Sequence, residues 1–307
     1  MNTSAFCSIL NLDAHLVWRW YRDHLSGFRA SEASGEHYKH DLHISKNEVV
    51  RVPIYEPKHF GKSMAIDEKQ IGEEMHTILS NRETGKIALL ARSMRYEDLQ
   101  KLLNRESLDC RKVETLTRDL SPLYAKVGSE LFFNSSPVAD KFHIIRSLLE
   151  ACQEEVLANN ETALEALARS RYLLFKYPDD WRPSQRNRAH ALFEKYPEIE
   201  KVYYRCCEFR DWMKKEHVGL SICQQTYELQ MWMLKVEQDD IDEMLNFKSL
   251  IERNMLPVLN YFRFGATNAK AENINSQIQR FIMTNQGTRD REFFYFRIKK
   301  YFSGTSK

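Results

Sequence analysis

Three acids stand where a folded chain could use them together. Asp67 closes the short apolar run Ser63-Met64-Ala65-Ile66, Asp119 closes the β-rich run at residues 113–117, and Glu272 lies in the opening turn of a late helical pattern. Three converging carboxylates hold two divalent cations ~3.5–4 Å apart. Hard oxygen donors suit Mg²⁺ or Mn²⁺, and magnesium in particular prefers one or two carboxylates plus water and substrate phosphate. With such a pair, one ion activates an attacking oxygen and the other stabilises a leaving 3′ oxygen at a phosphodiester, and no protein nucleophile is needed. Each acid also has a plainer reading. Asp119 can cap the next helix, although Ser121-Pro122 already offers a cap and an N1 proline. Glu272 can be the acid of a capping box, but Ala269 three residues earlier cannot reciprocate. Glu68 follows Asp67 and points to the opposite strand face, so either of the two can be the ligand. Asp140 and His143 sit three apart at a strand-to-helix step. They read either as a helix cap with a neighbour or as a pair that orients the metal ligands or the scissile phosphate.

These residues need a sheet and helices to hold them. Three successive strand patterns, around residues 63–67, 75–79 and 86–90, form a meander with a turn at residues 81–85. A helix over residues 96–103 carries Leu99, Leu102 and Leu103 on one face. A strand at 113–117, a helix from Ser121-Pro122, the short run Val138-Ala139 and a helix from Lys141 follow. The order β-β-β-α-β-α-β-α is that of the ribonuclease H-like fold, an α/β class with a mixed sheet and helices on its faces. Residues 160–264 lack strand alternation and predict an all-helical insertion, and a helix in 265–307 turns Ala271, Ile274, Ile278 and Phe281 inward. The division expected is 1–28, 29–60, 61–158, 159–264 and 265–307.

Residues 1–28 read as two short helices around the turn Asn11-Leu12-Asp13, the pattern of a helix-turn-helix or of a plain helical hairpin. Residues 13–25 would be the recognition helix, with Asp13 as N-cap, Leu16, Val17 and Trp20 on its packing side, and His15, Arg19 and Arg22 toward DNA. The Ser-, His- and Pro-rich stretch 29–60 reads as a linker. Net charge is only +2, so a global basic excess is missing. Two local runs are basic: 169–188, with Arg169, Arg171, Lys176, Arg182, Arg186 and Arg188, and the tail, where Arg291, Arg297, Lys299 and Lys300 interleave with Phe293, Phe294, Tyr295 and Phe296. Either face can neutralise phosphates and stack on bases, or can simply be solvated. The six cysteines show no CxxC pair or structural-zinc spacing, and adjacent Cys206 and Cys207 read as reduced thiols. The absence of an 18-residue apolar run and of a signal-peptide pattern makes a cytoplasmic, non-membrane protein the expectation.

Taken together, Ile66-Asp67-Glu68-Lys69, Thr117-Arg118-Asp119-Leu120-Ser121-Pro122, Ala139-Asp140-Lys141-Phe142-His143 and Thr267-Asn268-Ala269-Lys270-Ala271-Glu272-Asn273-Ile274-Asn275 resemble the catalytic blocks of bacterial insertion-sequence transposases of the DDE type, specifically the ISL3 family. The similarity spans about residues 61–302. It implies that Asp67, Asp119 and Glu272 form the catalytic, metal-holding triad, and that Asp140 and His143 match the family's auxiliary Asp-x-x-His element. It also implies a helical insertion between the second and third acids, two Mg²⁺ (or Mn²⁺) ions, and binding to terminal inverted repeats and target double-stranded DNA. The further implications are action as a homo-oligomer and a bacterial, nucleoid-associated location. An aromatic of the insertion that stacks on a flipped base would be Trp212 or Trp232, although tryptophans at helical spacing are more often core. The Cys-rich zinc segment that many members carry before the helix-turn-helix is missing from this sequence, which suggests a short form or a fragment. The function expected is DNA transposition by metal-dependent strand cleavage and transfer. A catalytically inactive transposase relic that only binds DNA is the rival reading, and a helical scaffold for protein partners is the third.

Overall fold

The computed structural model describes residues 7–105, 108–158, 173–214, 219–264, 269–285 and 290–303, without the side chains of 155–158, 269–272 and 275. The chain divides into two compact units. One comprises Met1–Leu116, Lys126–Ser135 and Ala269–Lys307, the other Thr117–Ala125 and Ser136–Asn268.

In the first unit, Asp13 caps α1 (Ala14–Trp20) as its position predicts: Oδ1 accepts the N–H groups of His15 and Leu16 at 2.7 and 3.2 Å. The helix runs on through a π-helical turn at Tyr21–Leu25. Its packing side differs from the expected one. Leu16 and Trp20 are 58% and 55% exposed. Instead Trp18 and Tyr21 meet the edge of Phe293 at 5.6 and 6.2 Å, and Arg22 reaches Asp290 at 3.0 Å. Positions 18, 21 and 22 form one stripe at i, i+3, i+4 spacing, and the aromatic surface near the chain's end selects that stripe over the aliphatic one. Gly27, at φ +82°, turns the chain into α2 (Phe28–Ala33).

The stretch 29–60, expected to be a linker, is built structure. It holds most of α2, a small ladder of β1 (Leu42–His43) with β2 (Val49–Val50), and β3 (Ile54–Tyr55), an edge strand of the main sheet. Its overall polarity hides a short apolar segment in which Val50, Val52, Ile54 and Tyr55 are all buried. The meander follows as β4 (Ser63–Ile71), β5 (Glu74–Asn81) and β6 (Lys86–Ala91), paired antiparallel. Next come α3 (Tyr96–Leu103), β7 (Thr115–Arg118), α4 (Pro122–Leu131) and β8 (Ser136–Ala139). The sheet order is β3-β6-β5-β4-β7-β8. At the start of β4 the Lys62 carbonyl accepts the N–H groups of Glu114 and Thr115, where β7 also starts. The end of β7 meets the end of β8 through Asp140 N–H to the Arg118 carbonyl. Starts beside starts and ends beside ends make β7 and β8 parallel additions to an antiparallel meander, which is the mixed sheet expected of a ribonuclease H-like α/β core.

Beyond β8 the described chain is helical: α5 (Lys141–Ala158), α6 (Pro183–Lys195), α7 (Pro197–Trp212), α8 (Ile222–Asp239), α9 (Asp242–Arg253) and α10 (Met255–Arg263), with one 3₁₀ turn at Pro178–Asp180. These helices share one core that runs from Val138 and Ile144 to Phe209, Trp232, Phe247 and Phe262. The chain then returns to the first unit as α11 (Ala269–Thr284) and α12 (Arg291–Phe302). Ile274 and Ile278 of α11 and Phe294, Ile298 and Phe302 of α12 pack against Ile54, Ile71, Ile78, Ile87 and Leu90 of the sheet, with Phe281 at the margin.

Polar groups fix α12 in place. Arg51 is buried and ion-pairs with Asp41 and Glu292, while His37 Nε2 lies 2.9 Å from a Glu292 oxygen. Burial raises the Glu292 pKa, but hydrogen bonds from His37 and Arg51 outweigh it and hold the carboxyl below its ordinary value. On β5, the fully buried His76 ring shares a 2.8 Å hydrogen bond with the Tyr295 hydroxyl. Burial pushes His76 down from 6.5 to about 4.

Two predictions follow from this packing. Ile278→Ala should lower stability to urea by about 2–5 kcal/mol, because the sheet cannot collapse into the void beneath α11. For His76, the unfolded chain gains a proton below about 6.5 that the folded ring refuses until about 4. The free energy of unfolding should therefore fall as pH drops through that window, and His76→Gln should flatten the fall. Equal slopes for parent and variant would remove His76 as the cause.

Candidate active site

The register of the first unit decides which acid of β4 faces which way. Asp67 lies opposite Ile78, Ile78 opposite Leu90, and Leu90 opposite Ile54. Residues directly opposite share a sheet face, and Ile54, Ile78 and Leu90 are the residues on which α11 and α12 rest. Asp67 therefore belongs to the face covered by α11 and α12. Glu68 shares the other face with Thr77, whose hydroxyl donates to the Ser93 carbonyl at 2.7 Å ahead of α3. Asp67 Oδ1 accepts the Glu68 N–H at 2.8 Å. Contrary to expectation Asp67 does not close its strand. It is the fifth residue of nine, because β5 pairs with the polar continuation as far as Ile71 opposite Glu74.

Glu272 is the fourth residue of α11, in its first turn as expected. Its side chain lies outside the described residues, but its helix occupies the same sheet face as Asp67.

The second unit holds the other acids, at the end of β7. Asp119 follows the strand directly, and its Oδ1 accepts the Ser121 N–H at 2.9 Å. The Ser121 hydroxyl in turn accepts the Tyr124 N–H at 3.3 Å, so Ser121 serves the start of α4 and Asp119 closes a tight turn before it. Arg118 Nη1 donates to the Asp119 carbonyl at 2.8 Å. The Arg118 side chain is buried, its Nε finds no partner among the described residues, and burial pushes its pKa down against the opposing pull of Asp119. Nothing in the spacing of acids points to this guanidinium, and sequence reasoning passed over it. Asp140 is buried, donates its N–H to the Arg118 carbonyl at 2.8 Å, and caps α5 through Oδ1, which accepts the Phe142 N–H at 2.8 Å. Asp140 is thus an N-cap, the first of its two readings, and its backbone N–H is fastened to the strand that precedes Asp119. His143 is half-buried one turn along, edge-on to the Phe142 ring at 5.6 Å.

Of the cations expected to meet DNA, His15 and Arg19 are exposed on α1. Arg22 is not available in the same way, since it pairs with Asp23 at 2.8 Å and Asp290 at 3.0 Å and lies over the Trp18 ring. The tail is a packed helix rather than a stacking surface. Phe293, Phe294 and Tyr295 are buried, Arg291 pairs with Glu74 at 2.8 Å, and Arg297 lies against the Phe281 and Phe293 rings. Burial pushes the Arg297 pKa down. Lys299 faces Glu36 at 3.8 Å and Lys300 donates to the Ser26 carbonyl at 3.2 Å. The sheet face takes Phe294 and Tyr295, the rings of Trp18, Tyr21 and Phe28 take Phe293, and the cations between them find internal partners. Arg169 and Arg171 lie outside the described residues. Trp212 and Trp232 are both core residues, the first 4.8 Å from Phe262 and the second donating from Nε1 to the Arg205 carbonyl at 3.0 Å.

The mixed sheet with its helices and a long helical insertion is consistent with a ribonuclease H-like fold. Residues 64–298 match the family model of ISL3-type DDE proteins, described as a transposase, and the chain belongs to that family. No curated protein and no solved structure matches it. Among the described residues no helix is long and apolar enough to cross a membrane.

The cap made by Asp140 can be separated from its charge. Asp140→Ala should cost about 1 kcal/mol of stability through the lost cap, whereas Asp140→Asn keeps a capping oxygen and should stay within a few tenths of the parent. Thermal unfolding of the three proteins checks this, and equal losses in both variants would show that the negative charge, rather than the cap, holds the junction.

Proposed function

We propose that this transposase cuts DNA at the ends of its element by water attack and then joins the freed 3′-hydroxyl to target DNA, using Asp67, Asp119 and Glu272 as its acidic set. The observation that carries the reading is the strand register that sends Asp67, and not Glu68, to the sheet face occupied by the helix of Glu272. The donors proposed are all carboxylate oxygens, which fits Mg²⁺ or Mn²⁺. Among the described residues no three acidic, histidine or cysteine groups gather into a metal site, and the Glu272 side chain is outside that set. When bound, two such ions supply an activated water and charge relief at the leaving 3′ oxygen.

The protein's own residues do the positioning. The Ser121 N–H holds one oxygen of Asp119, which leaves the other to project. Arg118 and Asp140 fasten the backbone on which Asp119 stands. His143, one turn into α5, is placed in this reading to orient the scissile phosphate. The exposed His15 and Arg19 on α1 are proposed to contact the terminal inverted repeats, and two ends would be brought together by a homo-oligomer.

A supercoiled substrate carrying the element's own ends tests the reading in the presence of Mg²⁺. Asp67→Asn and Asp119→Asn should each lose nicking by about 10³-fold or more, the loss of several kcal/mol of transition-state stabilisation. Glu68→Gln should stay within a few-fold of the parent. DNA binding without nicking by the parent would favour the inactive relic, and equal losses at Asp67 and Glu68 would refute the face assignment.

A further inference from the structure

Helix α6 of the helical unit and its N-cap bring together several cations that enter no ion pair among the described residues. In the segments that follow, Arg205 pairs with Glu208 and Asp239, Lys214 (just past α7) with Asp211, Lys235 with Glu208, and Lys248 with Glu237 and Glu252, while Lys201 and Arg253 stand singly exposed. On α6, Arg182, Arg186, Arg188 and Lys195 are exposed and enter no ion pair among the described residues. Arg188 Nε donates to the Ser184 carbonyl at 3.2 Å, and Lys195 lies over the Tyr196 ring. The only acid in the helix is Glu194, in its last turn.

The positions are also ordered. Ala189, Leu192 and Phe193 are buried and define the inward side. At 3.6 residues per turn, Arg186 and His190 fall on one flank and Arg188 and Lys195 on the other, with Arg182 at the N-cap beside the first flank. The outward crown between the flanks carries the exposed Ser184, Asn187 and Ala191, and Glu194 continues the same stripe in the last turn. A helix about 10–12 Å wide fits a major groove about 12 Å wide, and cations on both flanks then meet the phosphates of both strands.

We propose that α6 is a second duplex-DNA interface, in which Arg182 and Arg186 on one side and Arg188 on the other grip the two backbones while Ser184 and Asn187 of the early turns face the groove. This inference rests on the chain being a DNA-acting transposase, and it adds a contact from the helical insertion to the one proposed for α1. Because the grip is to phosphates, it is insensitive to sequence and strongly salt-dependent.

The test is fluorescence anisotropy of the full chain with a duplex carrying an element end, measured across a salt series. Arg186→Gln combined with Arg188→Gln should make the slope of log K against log salt shallower by about 1.8, since each lost phosphate contact removes ~0.9. Affinity should weaken alike for end and unrelated duplexes, and thermal melting should be unchanged because both side chains are exposed. The single variant Arg186→Gln should show half the change in slope. As a control for net charge, Lys201→Gln with Arg253→Gln, two exposed cations elsewhere in the same unit, should leave the slope alone. A parent slope retained in the α6 variants would overturn the α6 interface while leaving transposition intact. Equal change in the control pair would overturn it as well, by reducing the effect to bulk charge. A parent that binds no duplex at all would overturn the DNA-acting premise itself.

Discussion

The pairing of β4 with β5 is the constraint on which the rest of the arrangement hangs. Side chains alternate with a period of two, so a slip of one residue would exchange Asp67 for Glu68 on the helix-covered face. Eight consecutive pairs, from Met64 opposite Asn81 to Ile71 opposite Glu74, exclude that slip. The apolar members of the same rows, Ile71 and Ile78, are claimed by the core under α11 and α12. Hydrophobic burial thereby sets the direction of a carboxylate: moving Asp67 away would mean exposing the isoleucines that share its face.

Helix α12 enforces the same geometry from the other side. Its Phe294, Ile298 and Phe302 contribute area, while Glu292 and Tyr295 contribute direction through Arg51, His37 and His76. Removing one partner of a buried ion pair leaves the other charge stranded, at a cost of about 3–5 kcal/mol. A misplaced α12 would take Glu292 away from Arg51 and His37, so the polar network penalises alternatives that apolar packing alone would tolerate. The same helix receives α1 through Phe293 and Asp290. It is therefore the common support of the amino-terminal helices and of the sheet that carries Asp67.

Much of this architecture is legible in the residues. The meander, the helix Tyr96–Leu103, the Asp13 cap and the inward set Ile274, Ile278 and Phe281 follow from periodicity and capping chemistry, which act locally. What fails to show locally is decided by distant partners. Glu68-Lys69-Gln70 reads as the end of a strand, yet β5 supplies hydrogen bonds for it and β4 continues. The tail's aromatics read as a stacking surface until the sheet face and the amino-terminal rings that bury them are known. Arg118 carries no signal at all, because a buried guanidinium beside an acid is a property of the β7 junction and not of a spacing. For the candidate site, Asp119 follows its strand and Glu272 opens its helix as their positions suggest, whereas Asp67 turns out to lie inside its strand. The face of Asp67 and the double fastening of Asp140 need the pairing partners.

Charge shows the same division between local and global information. A net charge of +2 suggests a surface with little affinity for a polyanion, but net charge counts paired and unpaired cations alike. In the first unit Arg22, Arg51, Arg92 and Arg291 are tied to Asp23, Asp41, Glu74 or Glu292, and their contribution to the external field is largely cancelled within a few ångströms. The field a phosphate meets is set by the cations left over, screened beyond a Debye length of about 8–10 Å. On α6 those remain together, on a helix that keeps a single acid at its far end. A nearly neutral chain can therefore present a strongly basic surface, because its carboxylates are spent holding the rest of the molecule together.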